Sequence, residues 1–393
     1  MVPGRPPLIR RTNAEILLRL LRESGPCSKA DLVRASGLSA PSVTNVVNTL
    51  ISTGLVQTLG EGDSTGGRPP DILRFNAEHG SVAAVEITRD RLRVLLADLN
   101  GAEVARSESR IENAKSTPSD ICRQIGRTVR QSLHKKGRKR TKLLGLTVAV
   151  PAIVNVEEGT VLALTSLRNW NRVPLGVMLA RELKCRVLVD NDTNLAAEGE
   201  FYCGAARGEK DFVFITVGEG VGAGIFLGGH IYRGSQWSAG EIGYLRVPSI
   251  SREHPAIHRY GELEKVLSAS GILKAWRAHG QASRVRLRVH SAADVWDLAA
   301  AGHSDAKRIL KQKAMILADV ILDLALILNP NLILLGGEVG GHPVLLREVK
   351  SLLEGSEFAK PRVALGTMGP SAVLWGAISL GLEPAILGLL QAR

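Results

Sequence analysis

The sequence predicts an α/β protein that carries a winged helix-turn-helix at its N-terminus. Three observations point there. Residues 13–56 hold three short helical patterns separated by cap residues, the chain from Gly80 onward alternates apolar strands with helices, and "ITVGEGVGAGIFLGGH" (Ile215 to His230) joins two strands through a glycine-rich turn. At roughly 100–200 residues per domain, 393 residues make two or three domains with ample core.

The first element is a helix over 13–24, "NAEILLRLLRES", with Ile16, Leu17, Leu20 and Leu21 on one stripe. A second helix is capped by Ser28 and ended by Gly37. A third is capped by Ser39, with Pro41 in its first turn where a missing N–H costs nothing. Leu32, Val33, Leu38, Val43, Val46, Val47 and Leu50 can pack the three helices together. That leaves Ala40, Ser42, Thr44, Asn45 and Asn48 outward, and small hydroxyl and amide side chains at the start of the third helix, from Ser39 to Asn45, suit phosphates and base edges in a major groove. "GLVQTLGEGDSTGGRPPDILRFN" then alternates apolar residues on both sides of a tip, Gly66 to Pro70, which reads as a wing. Arg68, between mobile glycines and stiff prolines, suits insertion into a minor groove. The expected partner is a double-stranded DNA operator; the alternative use of such a module is protein contact.

From Gly80 the periodicity changes. "VAAVEITRDRLRVLLADLNG" reads as a hairpin, "LLGLTVAVPAIV", "CRVLVDND" and "DFVFITVGEG" as buried strands, and "AMILADVILDLALILNP" as a long helix before the strand "LILLGG". Such a series makes an α/β fold whose cleft is the natural binding place. The glycine-rich turn raises a question. Its bare N–H groups suit an anion, yet Glu219 sits in its middle, where a carboxylate repels a phosphate.

The formal charge of +12 and pI near 9.8 favour a polyanionic partner. The densest basic run, Arg123 to Lys142, holds nine Lys and Arg residues and no acid; it reads as a solvated helix end and loop, with a secondary nucleic-acid contact as the alternative. Cys27, Cys122, Cys185 and Cys203 are far apart and form no C-x-x-C pair, which argues against a disulfide framework and a thiolate metal site. The longest apolar runs are short or broken by Asp323, Asn329, Pro330 and Asn331, and no leader cleavage site follows the basic N-terminus. A cytoplasmic protein with no membrane partner is expected.

Together the winged helix, "VDND", "GEGVGAG", "AGEIG", "GELE" and "NPNLILLGG" resemble the repressor, open reading frame, kinase (ROK) family over nearly the whole chain. The resemblance implies the two-lobed actin-like ATPase fold of sugar kinases behind the winged helix. The expected domains are 1–78 for DNA binding, 79–190 for the first lobe, completed by 375–393, and 191–374 for the second lobe. Kinases of the family carry Asp-x-Gly-Gly-Thr after their first strand, where this chain has Glu86, Ile87, Thr88, Arg89 and Asp90; their second phosphate loop reads Gly-Thr-Gly, where this chain has Gly218, Glu219 and Gly220. Acids stand in both loops and no Lys or glycine cradle is evident beside them, so neither kinase activity nor a nucleotide cofactor is expected. The Gly218–Gly220 turn then survives as scaffold.

The sugar half matches better. The resemblance assigns Asn191 and Asp192, then Glu241 and Tyr244 in "GEIGY", and Glu264 to sugar hydroxyls, with Tyr244 in place of the family's histidine. Carboxylates and amides in a cleft suit polyols. The plain alternative for Asp192 is a helix cap, and for Glu241 a strand-end carboxylate. No metal is expected: Tyr244, Pro255, Ile257 and Glu262 stand at the family's zinc-ligand positions, and His254 with His258 alone is too few for a tetrahedral site. The chain is thus expected to be a transcription regulator, a repressor of sugar-related genes, working as a homodimer or larger homo-oligomer with a sugar or sugar-phosphate effector. The alternatives are a sugar kinase that also binds DNA, and a repressor controlled by a partner protein. The winged helix is taken as a module separate from the cleft.

Overall fold

Local signals set the N-terminal helices in the computed structural model, which describes residues 6–61, 70–111, 117–134, 142–163, 170–246, 261–280, 287–355 and 360–391. Helix α1 (Pro6–Ser24) begins seven residues before the expected Asn13, with a proline at its first position. Strand β1 (Cys27–Ser28) leads into α2 (Lys29–Ser36), and a reciprocal capping box starts that helix: Asp31 N donates to Ser28 Oγ at 3.2 Å, and Ser28 N donates to Asp31 Oδ2 at 2.9 Å. Gly37 ends it in the left-handed region at φ 68°.

The expected Ser39 cap of α3 (Ala40–Ser52) is corrected. Ser39 holds the cap position, but its hydroxyl donates to Ser42 Oγ at 2.9 Å and accepts from no backbone amide. The wing strands β2 (Val56–Glu61) and β3 (Asp71–Phe75) pair antiparallel with an irregularity between Thr58 and Gly60, and β1 completes the sheet in the order β1-β3-β2. The tip with Arg68 lies outside the described residues.

Two five-stranded sheets of the same plan follow. In the first, β4 (Gly80–Ile87), β5 (Arg91–Asp98) and β6 (Glu103–Arg110) are antiparallel, and helix α4 (Pro118–His134) leads to β7 (Lys142–Val150), parallel to β4. The short strands β8 (Ile153–Asn155), β9 (Thr160–Ala163) and β10 (Asn171–Val173) form a small sheet before α5 (Leu175–Leu183) and β11 (Arg186–Asn191), which closes the order β11-β7-β4-β5-β6.

Helix α6 (Asp192–Cys203) crosses to the second sheet, where β12 (Phe212–Val217), β13 (Val221–Leu227) and β14 (His230–Ile231) are again antiparallel. Helices α7 (Glu262–Leu267), α8 (Ala269–Gly280), α9 (Ala292–Ala300) and α10 (Ser304–Leu328) precede β15 (Leu332–Gly336), which lies parallel to β12. The turn α11 (Gly337–Gly340), helix α12 (Pro343–Leu353) and β16 (Arg362–Leu365) complete the order β14-β13-β12-β15-β16. The hairpin, the buried strands and the long helix read from the sequence are all present.

The last helix, α13 (Ala372–Gln391), returns to the first sheet and packs on β4, β7 and α6. Its approach to α6 is close enough to require glycine: a Cβ on Gly376 would lie 1.8 Å from Leu195 O, and one on Gly199 would lie 2.1 Å from Ala372 O. The segment Gly369–Leu390 is by length and composition apolar enough to cross a membrane, yet Ala377, Ile378, Leu382 and Ile386 are buried against the sheet and α6, as in an interior helix.

The winged helix is not packed as a separate module. Leu17, Leu21, Leu50 and Phe75 share one buried cluster with Leu95 and Leu99 of the first sheet region, Leu195 of α6, and Ile378 and Leu382 of α13. Arg22 lies 3.4 Å from Glu383 of α13, and Leu99 N donates to Ala77 O at 3.0 Å. Of the basic run, Arg123 and Arg130 sit on α4 at 2.5 Å from Asp120 and Glu182, and 135–141 lie outside the described residues. Burial pushes the Cys122 thiol up to about 12 and Cys185 to about 11, so both stay protonated and unreactive.

Candidate functional site

Two surfaces concern function. On α3, Ser39, Ala40 and Asn45 are exposed and Ser42 and Thr44 half-buried, while Val43, Val46, Val47 and Leu50 point into the core. The outward side of the third helix therefore carries the residues read from the sequence.

The second surface is a cleft of about 1250 Å³ that brings Asn191, Asp192, Glu241, Tyr244 and Glu264 together from β11, α6, the loop after β14, and α7. At its base Asn191 Oδ1 accepts from Thr193 N at 2.8 Å and Asn194 N at 3.1 Å, and its Nδ2 donates to Ala152 O at 3.2 Å. Asn191, not Asp192, is the cap of α6. Its acceptor is committed to the helix, so its contribution is to hold Asp192 at the cleft wall. Asp192 Oδ1 accepts from Thr193 N at 2.8 Å, while Oδ2 has no protein partner among the described residues.

Electrostatics follow from crowding acids in a sheltered place. Burial pushes Asp192 up to about 7, with the Glu86 and Glu241 charges adding to the shift. Burial also pushes Glu241 up to about 7, helped by Glu264. Glu264 and Tyr244 are raised for the same first reason, although Glu264 is partly relieved by accepting from Val221 N at 3.1 Å. Glu241 stands where it does because Gly240 takes φ 89° and passes so near β13 that a Cβ would lie 1.9 Å from Ala223 O.

The Gly218–Gly220 turn has a visible structural task. Gly218 N bonds Gly220 O at 2.9 Å to close it, Glu219 is exposed along the cleft lining, and the far end of the turn, at Val221 N, anchors Glu264. The other loop is less bare of cations than its sequence implies. Glu86 is buried in an ion pair with Arg93, Arg91 pairs with Glu108 and lies 3.6 Å from Asp90, and Arg89, Arg91 and Arg93 line the same cleft wall. Arg91 and Arg93 are matched by Glu108 and Glu86 on the same wall, and of the three only Arg89 has no ion-pair partner among the described residues. His254, Pro255, Ile257 and His258 lie outside the described residues, and Glu262 is buried in α7.

Sequence reading missed three residues. Asp190, 1% exposed, accepts from Arg233 Nε at 3.1 Å and Nη2 at 2.5 Å and from Asn191 N at 2.8 Å, so it ties the Asn191–Asp192 corner to the loop that carries Glu241. Trp237, on that loop and lining the cleft, holds φ 64°, a left-handed conformation that is strained for a bulky side chain. The acid in "VDND" was a signal for Asp190; nothing local marked Arg233 or Trp237.

The raised acids set a pH dependence. For Asp192 the folded value lies above the unfolded one, so the ligand-free protein binds the extra proton when folded and loses stability as pH rises from about 4 through about 7. An ionised carboxylate is the stronger acceptor for a hydroxyl. A polyol bound at Asp192 is therefore expected to release a proton and to bind roughly tenfold more tightly at pH 8 than at pH 6. Titration calorimetry in two buffers of different ionisation enthalpy measures that proton; a pH-independent affinity with no proton release would remove Asp192 from the binding site.

The ROK family pattern matches residues 82–383, and the MarR family pattern matches residues 16–59. The chain belongs to the ROK family. Xylose repressor from Bacillus spizizenii (strain ATCC 23059 / NRRL B-14472 / W23) is 24% identical over 382 residues, 96% of each chain. A glucokinase from Halalkalibacterium halodurans is 34% identical over 238 residues, 58% of this chain and 71% of that one. A solved ROK family transcriptional regulator, described as a homolog of the E. coli MLC protein, superposes with a TM-score of 0.81 at 24% identity, covering 98% of both chains. This ROK chain thus has an N-terminal winged helix-turn-helix followed by the two-lobed actin-like fold, and its combination of modules is that of a DNA-binding transcription regulator.

Proposed function

We propose that this chain represses sugar-related genes, sensing a sugar or sugar derivative in the cleft and lacking kinase activity. The observation that carries the reading is the convergence of Asp192, Glu241 and Glu264 on one cleft of a chain that also presents an outward third helix for DNA. Ser39, Ala40, Ser42, Thr44 and Asn45 face the major groove, with Arg68 at the wing. Asp192, Glu241, Tyr244 and Glu264 take sugar hydroxyls, with Asn191 positioning Asp192. A tenfold change in operator affinity on sugar binding needs only about 1.4 kcal/mol of coupling.

The kinase reading has one observation in its favour: an aspartate near pKa 7 in a sugar cleft is suited to general-base work, and a glucokinase is among the relatives. One assay separates the two. Incubated with ATP, Mg²⁺ and a panel of pentoses, hexoses and amino sugars headed by D-xylose and D-glucose, the protein is expected to form no sugar phosphate above background. At least one sugar of the panel is expected to raise Tm and release an operator duplex. Turnover that disappears in Asp192→Asn makes the protein a kinase; release by none of the sugars favours control by a partner protein.

A further inference from the structure

The chain has five tryptophans, and four of them pack into apolar clusters. Trp170 and Trp296 are buried in clusters of the first and second sheets, Trp276 packs on the second and meets the His303 ring edge-on at 5.3 Å, and Trp375 packs from α13 on the cluster beneath the winged helix. Trp237 is the exception. It belongs to no apolar cluster, and its indole makes no hydrogen bond or ring contact among the described residues. It is half-buried on the wall of the cleft, with its backbone held at φ 64°. A bulky side chain in the left-handed region costs the folded chain free energy, and packing of the indole does not offset that cost. An aromatic held this way without a core to fill is placed for a ligand.

The turn that carries Trp237 is tied at both ends to the acids of the cleft. Arg233 donates through Nε to Asp190 Oδ2 at 3.1 Å, next to the Asn191–Asp192 corner, and Ala239 N donates to Arg233 O at 3.2 Å to close the turn. Gly240 O then accepts from Ala223 N at 2.8 Å, and Glu241 follows directly. One short turn thus joins the indole to the two ends of the carboxylate group, and all of them line the same cleft.

We propose that Trp237 sets the sugar specificity of the cleft by stacking on the C–H face of a pyranose ring, while Asp192, Glu241 and Glu264 take the hydroxyls at the ring's edge. The inference rests on the sugar reading of the cleft and narrows it to one configuration. A pyranose with equatorial hydroxyls throughout, as in the xylo and gluco series, directs its oxygens outward near the ring plane and its axial hydrogens to both faces. Those slightly positive hydrogens suit the negative face of an indole, and the outward hydroxyls suit carboxylate acceptors. D-galactose carries an axial hydroxyl on one face and D-allose on the other, so a ring stacked on Trp237 tolerates at most one of the two.

The test is calorimetric titration of the full chain with D-xylose, D-glucose, D-galactose and D-allose. D-xylose or D-glucose is expected to bind, and at least one of the two axial epimers to bind roughly tenfold more weakly or worse. Trp237→Gly removes the side chain at a φ that glycine adopts freely, so ligand-free Tm should hold. Trp237→Leu keeps apolar bulk without a ring face. Both variants are expected to lose roughly tenfold in affinity and to flatten the preference among the epimers, whereas Trp237→Phe, which keeps a ring, should stay within about threefold of the parent. Asp192→Asn, titrated in parallel, separates this inference from the reading beneath it. Loss of binding in Asp192→Asn with parent affinity in Trp237→Gly and Trp237→Leu would leave the sugar cleft standing and overturn the stacking. So would equal affinity of the parent for D-glucose and both epimers, or a Trp237→Phe variant no better than Trp237→Leu. Binding of none of the four sugars overturns the stacking as well, and the sugar reading falls with it only if the wider panel also fails to bind.

Discussion

Asp192→Ala is expected to leave the protein on its operator at effector concentrations that release the parent chain. The carboxylate supplies the cleft with Oδ2, an acceptor that has no protein partner among the described residues. Hydrogen bonds to a charged group contribute about 1.5–3 kcal/mol, so sugar affinity should fall roughly ten- to hundredfold. Instability does not offer a competing explanation. The variant removes a carboxylate whose ionisation burial and the Glu86 charge already oppose, so Tm without ligand should hold or rise near pH 8. Operator binding by fluorescence anisotropy, with and without the sugar found by screening, gives both numbers from one titration. Unchanged release would move effector recognition away from α6.

Ile378→Ala should have the second large effect. Ile378 is fully buried where α13 meets the cluster shared by α1, α3, β5 and α6, and truncating such a side chain costs about 2–5 kcal/mol. The shared core makes the loss a property of both ends of the chain. Amide exchange in α1 and in β4 should accelerate together, and urea unfolding should keep a single transition with a lower midpoint. Faster exchange in β4 with unchanged protection in α1 would show that the winged helix is energetically independent. The same cluster offers a physical route for coupling, because α6 begins at the effector corner and is locked to α13 through Gly199 and Gly376, while α13 carries Arg22 of α1 on Glu383.

Much of this protein was determined by sequence alone, wherever the controlling interaction spans only a few residues. The Ser28 box with Asp31 and the left-handed Gly37 are closed within one turn, so the second helix could be bounded from its letters. At α3 Ser39 holds the cap position but its hydroxyl turns to Ser42 Oγ, a choice its letter does not record. The hairpin at Ile215 to His230 and the buried strands followed from apolar periodicity, and the cleft residues were assigned from motifs spread over seventy-odd positions of chain.

Tertiary structure decided what those residues face. The division of labour between Asn191 and Asp192 depends on Ala152 being 39 positions away in sequence and 3.2 Å away in space. Arg93 is set against Glu86 by the β4–β5 pairing, and the Asp190–Arg233 bridge joins residues 43 positions apart. The packing of the winged helix on α13 joins the two ends of the chain, and burial there is a sum over surfaces that no local pattern records. Charges and apolar contacts act through space with ranges of several ångströms, whereas caps and turns act along the chain; that difference in range separates what the letters determined from what only the fold could decide.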